Sequence, residues 1–241
     1  MSERTQKVTV TDGGVDGGFD LRLWIPERGS GPGLLLIPEI FGVSDYIRAV
    51  AADLAGLGYV VGVPDLFWRL NPGWAAAHDE EGLRASLAQV TDLDPEKAAD
   101  DCAAALGALA ARPEVTGGTG ALGFCLGGSL AYAVAARGDG SGLSAVLSFY
   151  GSAVPDAPEL MNDIRCPIQF HFGGRDPYIP RDRVAIVEEA AAGRPDVEVH
   201  VQEEAGHAFH NFYAPMFHNP EAGRTAWALA VDFLRRHLPA V

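Results

Sequence analysis

The sequence predicts an α/β fold: a mostly parallel sheet with helices on both faces. Short apolar runs alternate with longer, Ala-rich stretches of helical periodicity, and that alternation calls for helical crossovers between parallel strands. The composition, 48% apolar and 21% charged, is that of an ordinary globular chain. At 241 residues the chain is expected to form one domain, 1–241, with a sizeable core.

Val8–Val10 and Leu21–Ile25 read as strands flanking a hairpin-like turn region, Asp12-Gly-Gly-Val-Asp-Gly-Gly18. Strand Leu34–Ile37, helix Asp45–Leu57 and strand Tyr59–Val63 follow. The stretch Arg69–Asp79 looks irregular and suited to shaping a pocket mouth. Asp94 before Pro95 marks a capped start for a helix running to Arg112. Gly120–Phe124 is a strand and Leu126–Arg137 a helix. Then come strands Ala145–Tyr150 and Ile168–Phe172, helix Pro180–Gly193, strand Val197–Val201 and a last helix, Pro220–His237.

With 18 basic against 32 acidic residues the formal charge is −14, which argues against nucleic acid and against an anionic membrane as partners. Met1-Ser-Glu-Arg-Thr-Gln-Lys7 has no apolar core of a secretory signal, and no run approaches the roughly 18 apolar residues of a spanning helix. Cys102, Cys125 and Cys166 are odd in number and widely spaced, so neither a disulfide framework nor a zinc pair is expected. Histidines 207, 210 and 218 lack a ligand spacing, and no metal or cofactor is expected. The expected setting is a reducing cytoplasm, as a monomer or small homo-oligomer.

The most informative segment is Gly120-Ala-Leu-Gly-Phe-Cys-Leu-Gly-Gly128. It places Cys125 between an apolar strand and a helix, the setting of a nucleophile elbow, with glycines where the backbone must pass close to its neighbours. Asp176 lies just past one strand and His207 just past another, in loops where a rigid sheet presents reactive groups. Nucleophile, acid and histidine in that order match the α/β-hydrolase arrangement. Taken singly, the cysteine reads equally as structural or functional, the aspartate as a turn former and the histidine as surface or core. The three together, each at a strand end, are not explained by turn chemistry alone.

On Ile37-Pro-Glu-Ile-Phe-Gly42, Gly123-Phe-Cys-Leu-Gly-Gly128, Gly173-Gly-Arg-Asp176 and Gly206-His-Ala-Phe209, the chain resembles the dienelactone hydrolase family, a cysteine-dependent branch of the α/β-hydrolases. Pro64-Asp-Leu-Phe-Trp68 and Tyr150-Gly151 are weaker echoes. The resemblance implies an α/β-hydrolase fold and a triad of Cys125, Asp176 and His207. It implies oxyanion donors in the backbone N–H groups of Ile40 and Leu126. It also implies that Glu39 lies near the thiol and accepts its proton when substrate binds.

The chain departs from the family where dienelactone's carboxylate would be held. Asn211 stands at about the place of one arginine. Arg84, in the helical stretch Leu83–Gln89, stands within one position of the other, and neither expected aromatic is evident there. Trp68, Phe209, Arg84 and Asn211 are the candidate substrate contacts. Hydrolysis of a small ester or lactone through a thioester on Cys125 leads. A broad carboxylesterase or thioesterase without lactone preference, and a non-catalytic ligand-binding homologue, are the alternatives.

Overall fold

The computed structural model describes residues 2–12, 14–137 and 142–240. Strands β1 (Ser2–Asp12) and β2 (Val15–Ile25) form an antiparallel hairpin whose register brings Asp12 opposite Val15. The turn is therefore tighter than the expected 12–18 region, whose Gly13 lies outside the described residues. Gly17 and Gly18 belong to β2 instead; a Cβ on Gly17 would strike the Trp68 ring, and one on Gly18 the Val8 carbonyl across the hairpin.

The rest follows the predicted alternation: β3 (Gly31–Ile37), α1 (Asp45–Gly56), β4 (Val60–Pro64), α2 (Glu80–Thr91), α3 (Pro95–Ala110), β5 (Val115–Phe124), α4 (Leu126–Ala135), β6 (Leu143–Phe149), β7 (Ile168–Gly173), α5 (Arg181–Ala191), β8 (Val197–Gln202) and α6 (Pro220–His237). Two short 3-10 turns, Val154–Asp156 and Pro158–Asp163, lie between β6 and β7. Asp94 caps α3 as expected, its carboxylate accepting from the N–H groups of Glu96 and Lys97.

The sheet runs β1-β2-β4-β3-β5-β6-β7-β8, parallel from β4 to β8, with β2 antiparallel to β4. Strands β3 and β4 are buried throughout, because helices cover both faces and leave no wet side for alternation. The strand order reverses at β3. The chain leaves β3 toward β4 on one side, whereas β5 comes back to its other side. Loops leaving β3 and β5 therefore diverge and open a crevice at the carboxyl ends of the strands, where ligands of open α/β sheets bind.

Candidate active site

The crevice puts Cys125 between the end of β5 and the first turn of α4. Its backbone is held at φ 53°, ψ −116°, a conformation that side chains rarely adopt. The surroundings enforce it. A Cβ on Gly123 would run into the Gly127 carbonyl, and one on Gly127 into the Ile37 carbonyl of β3, so helix and strands meet as closely as glycine permits. The Cys125 N–H donates to Phe149 O (2.9 Å) and its carbonyl accepts from the Ser129 N–H (3.1 Å). The side chain is thereby projected off the sheet.

Loops after β7 and β8 bring two partners to it. His207 Nε2 lies 3.2 Å from Cys125 Sγ, and His207 Nδ1 lies 2.7 Å from Asp176 Oδ2. The other Asp176 oxygen accepts from the N–H groups of Tyr178 (2.8 Å) and Ile179 (3.2 Å), and the Arg175 N–H donates to Ala205 O, tying the two loops together. Tyr150 and Tyr178 pack their rings against the His207 imidazole. Burial works against a charge on His207, but Cys125 at one ring nitrogen and Asp176 at the other outweigh it and raise its pKa to about 10. A thiol, an imidazole and a carboxylate in this line can generate and hold a thiolate.

Glu39, expected beside the thiol, is engaged elsewhere. Its Oε1 accepts from Asn211 Nδ2 (2.9 Å) and meets His78 Nε2 at 2.6 Å. The His78 side chain is buried, its ring packed on Phe41. Sequence reasoning missed it, since it stands in the irregular stretch with no motif around it. That stretch is stitched to the loop after β3: Val43 N–H donates to Trp74 O, Ala76 N–H to Phe41 O and Trp74 Nε1–H to Ile40 O. Burial and the Glu39 carboxylate keep the Tyr150 hydroxyl protonated. Tyr150 itself has φ 39°, a second strained residue at a strand end.

The cleft has a volume of about 450 Å³ and is lined by Glu39, Ile40, Cys125, Leu126 and His207 together with side chains of α2. Leu126 opens α4, so its N–H has no acceptor within the helix. None of the four candidate substrate contacts is among the lining residues. Trp68 donates its Nε1–H to Asp101 (2.8 Å) on α3 and packs toward Phe19. Phe209 is wholly buried against Tyr150. Arg84 is exposed on α2, beside the inward-facing Leu83. Asn211, the fourth, is buried and spends its amide on Glu39 and on the Tyr213 N–H rather than on the cleft.

The other cysteines are enclosed. Burial pushes the Cys166 thiol up to about 11 and Cys102 higher still, which leaves both as poor nucleophiles. His210 accepts or donates at Tyr46 Oη (2.7 Å) and stacks on Phe124 beneath the site.

The sequence model described as the dienelactone hydrolase family matches residues 19–238. A carboxymethylenebutenolidase of Pseudomonas sp. (strain P51) is 34% identical over 92% of both chains. The carboxymethylenebutenolidase of Rhodococcus opacus is 32% identical over 88% of this chain and 84% of its own. Among solved structures, a dienelactone hydrolase-like promiscuous phosphotriesterase from metagenomic libraries superposes with TM-score 0.77 at 24% identity, covering 99% of this chain and all of that one.

Proposed function

Because this chain belongs to the dienelactone hydrolase family and is therefore a hydrolase of ester or lactone bonds, we propose that it acts through a covalent thioester on Cys125. The observation that carries the reading is the continuous hydrogen-bonded line from Cys125 Sγ through His207 to Asp176. His207 takes the thiol proton and Asp176 holds the imidazole in the tautomer that can receive it. The thiolate attacks the substrate carbonyl carbon, and the Ile40 and Leu126 N–H groups stabilise the oxyanion, the latter helped by the α4 dipole. Collapse breaks the C–O bond, and His207 returns the proton to the leaving alkoxide, which in a lactone stays tethered to the acyl group. Water, deprotonated by His207, then attacks the thioester and releases the acid and the free thiol.

Glu39 acts as a positioning residue. With its carboxylate tied to His78 and Asn211, it steadies the loop that carries Ile40, while the thiol proton passes to His207. Residues 1–241 are taken as one domain working in a reducing cytoplasm, which suits a thiol that must stay unoxidised.

The test is to quench the reaction with an activated ester and weigh the intact protein. Wild type should carry one acyl group on Cys125. Undiminished hydrolysis by Cys125→Ala would disprove the nucleophile assignment.

A further inference from the structure

The part of the cleft wall that comes from α2 is apolar. Leu83, Leu87 and Val90 line it at helical spacing i, i+4 and i+7, and Phe217 joins them from the loop after β8. Leu87 is 51% exposed, and so are Tyr178 at the rim and Phe212, Tyr213 and Met216 on the neighbouring loop to a similar degree. Leu87 and Tyr178, large side chains left partly in water on the cleft lining, mark a binding surface.

The charges point the same way. Among the described residues lining the cleft there is no lysine or arginine, whereas Glu39 and Asp156 supply carboxylates. Asp156 is itself in an ion pair with Arg183. Both imidazoles are engaged as well, His207 between Cys125 and Asp176 and His78 on Glu39. Arg84 follows Leu83 by one residue, about 100° around the helix, and is turned to solvent. A substrate carboxylate entering here would lose water, meet carboxylates and find no counter-ion.

We infer that the substrate is an uncharged ester or lactone whose apolar alkyl or aryl flank lies on Leu83, Leu87 and Phe217. The inference rests on the Cys125 reading above, and the test separates the two. p-Nitrophenyl pentanoate and mono-p-nitrophenyl glutarate have acyl chains of equal length that differ in ending on a methyl or a carboxylate. After subtraction of uncatalysed hydrolysis, kcat/KM should favour the pentanoate by about tenfold or more, the scale on which apolar pockets discriminate. Leu87→Arg should narrow that gap by raising glutarate turnover, and Arg84→Ala should leave it unchanged. Cys125-dependent turnover that is equal for the two esters, or favours the glutarate, would overturn the substrate class alone. Selective loss of glutarate turnover in Arg84→Ala would overturn it too, by showing that Arg84 reaches the substrate. Turnover of either ester that survives Cys125→Ala would overturn the nucleophile reading on which the inference stands.

Discussion

The two walls of the cleft are built differently. On one side Cys125, His207 and Asp176 sit at the ends of β5, β8 and β7, fixed by backbone geometry and by main-chain hydrogen bonds to one Asp176 oxygen while the other meets His207. On the other side, Glu39 is held by the side chains of His78 and Asn211, and α2 offers a partly exposed apolar face. A wall fixed by the sheet backbone can keep reacting atoms within about 0.5 Å of a productive geometry. A wall made of helix surface and side-chain bonds can change its chemistry without disturbing that geometry. On the function proposed above, reaction type belongs to the first wall, and choice of substrate to the second.

That contrast can be broken experimentally. Cys125→Ala should lower kcat/KM by at least about 10⁴-fold while barely shifting the thermal midpoint, since little volume is lost at a part-exposed position. A residual rate above about a tenth of wild type would remove the strand-end wall from the chemistry. Asp176→Asn should cost about 10³- to 10⁴-fold, mostly in kcat, by stabilising the wrong His207 tautomer. A loss confined to KM would contradict an orienting role.

Beneath the same wall lie two buried neutral histidines. Burial lowers the His210 pKa to about 4, with a further push from His218, and burial lowers His171 as well, aided by His200 and His210. Below pH 6.5 the unfolded chain takes up protons that the folded chain refuses. Stability from these groups is thus complete above pH 6.5 and lost on acidification, by about 3 kcal/mol for His210 alone once pH reaches 4. His207 acts oppositely. Its raised pKa makes its contribution full below 6.5 and lost as pH climbs toward 10. Urea midpoints measured at pH 4.5, 6.5 and 9 should therefore peak in the middle; a flat acid limb would contradict the burial argument. The smallest effect is expected on the second wall. Glu39→Gln retains an acceptor for Asn211 and should reduce kcat about tenfold with KM little changed. A loss approaching that of Cys125→Ala would instead make Glu39 the thiol's proton acceptor.

Much of the first wall was legible before any coordinates. Elbow, acid and histidine each stand within a few residues of the strand end that carries them, and the glycines that permit the elbow lie two positions either side of Cys125. The second wall was not. His78 is 39 residues from Glu39 and Asn211 is 172 residues from it, and nothing local marks either as a partner. Trp68 and Phe209 read as candidates for the pocket although aromatics more often belong to the core, and packing against Asp101 and Tyr150 decided for both.

The sequence by itself determined the alternating strands and helices, the family, and the trio of Cys125, Asp176 and His207, because short-range sterics and strand ends are written in neighbouring residues. Tertiary structure alone decided that Glu39 pairs with His78 and that Leu83 and Leu87, not Arg84, face the cleft. The reason is geometric: each residue turns a helix by about 100°, so a one-position shift exchanges a cation for an alkyl wall, and only packing against the rest of the fold sets that rotation.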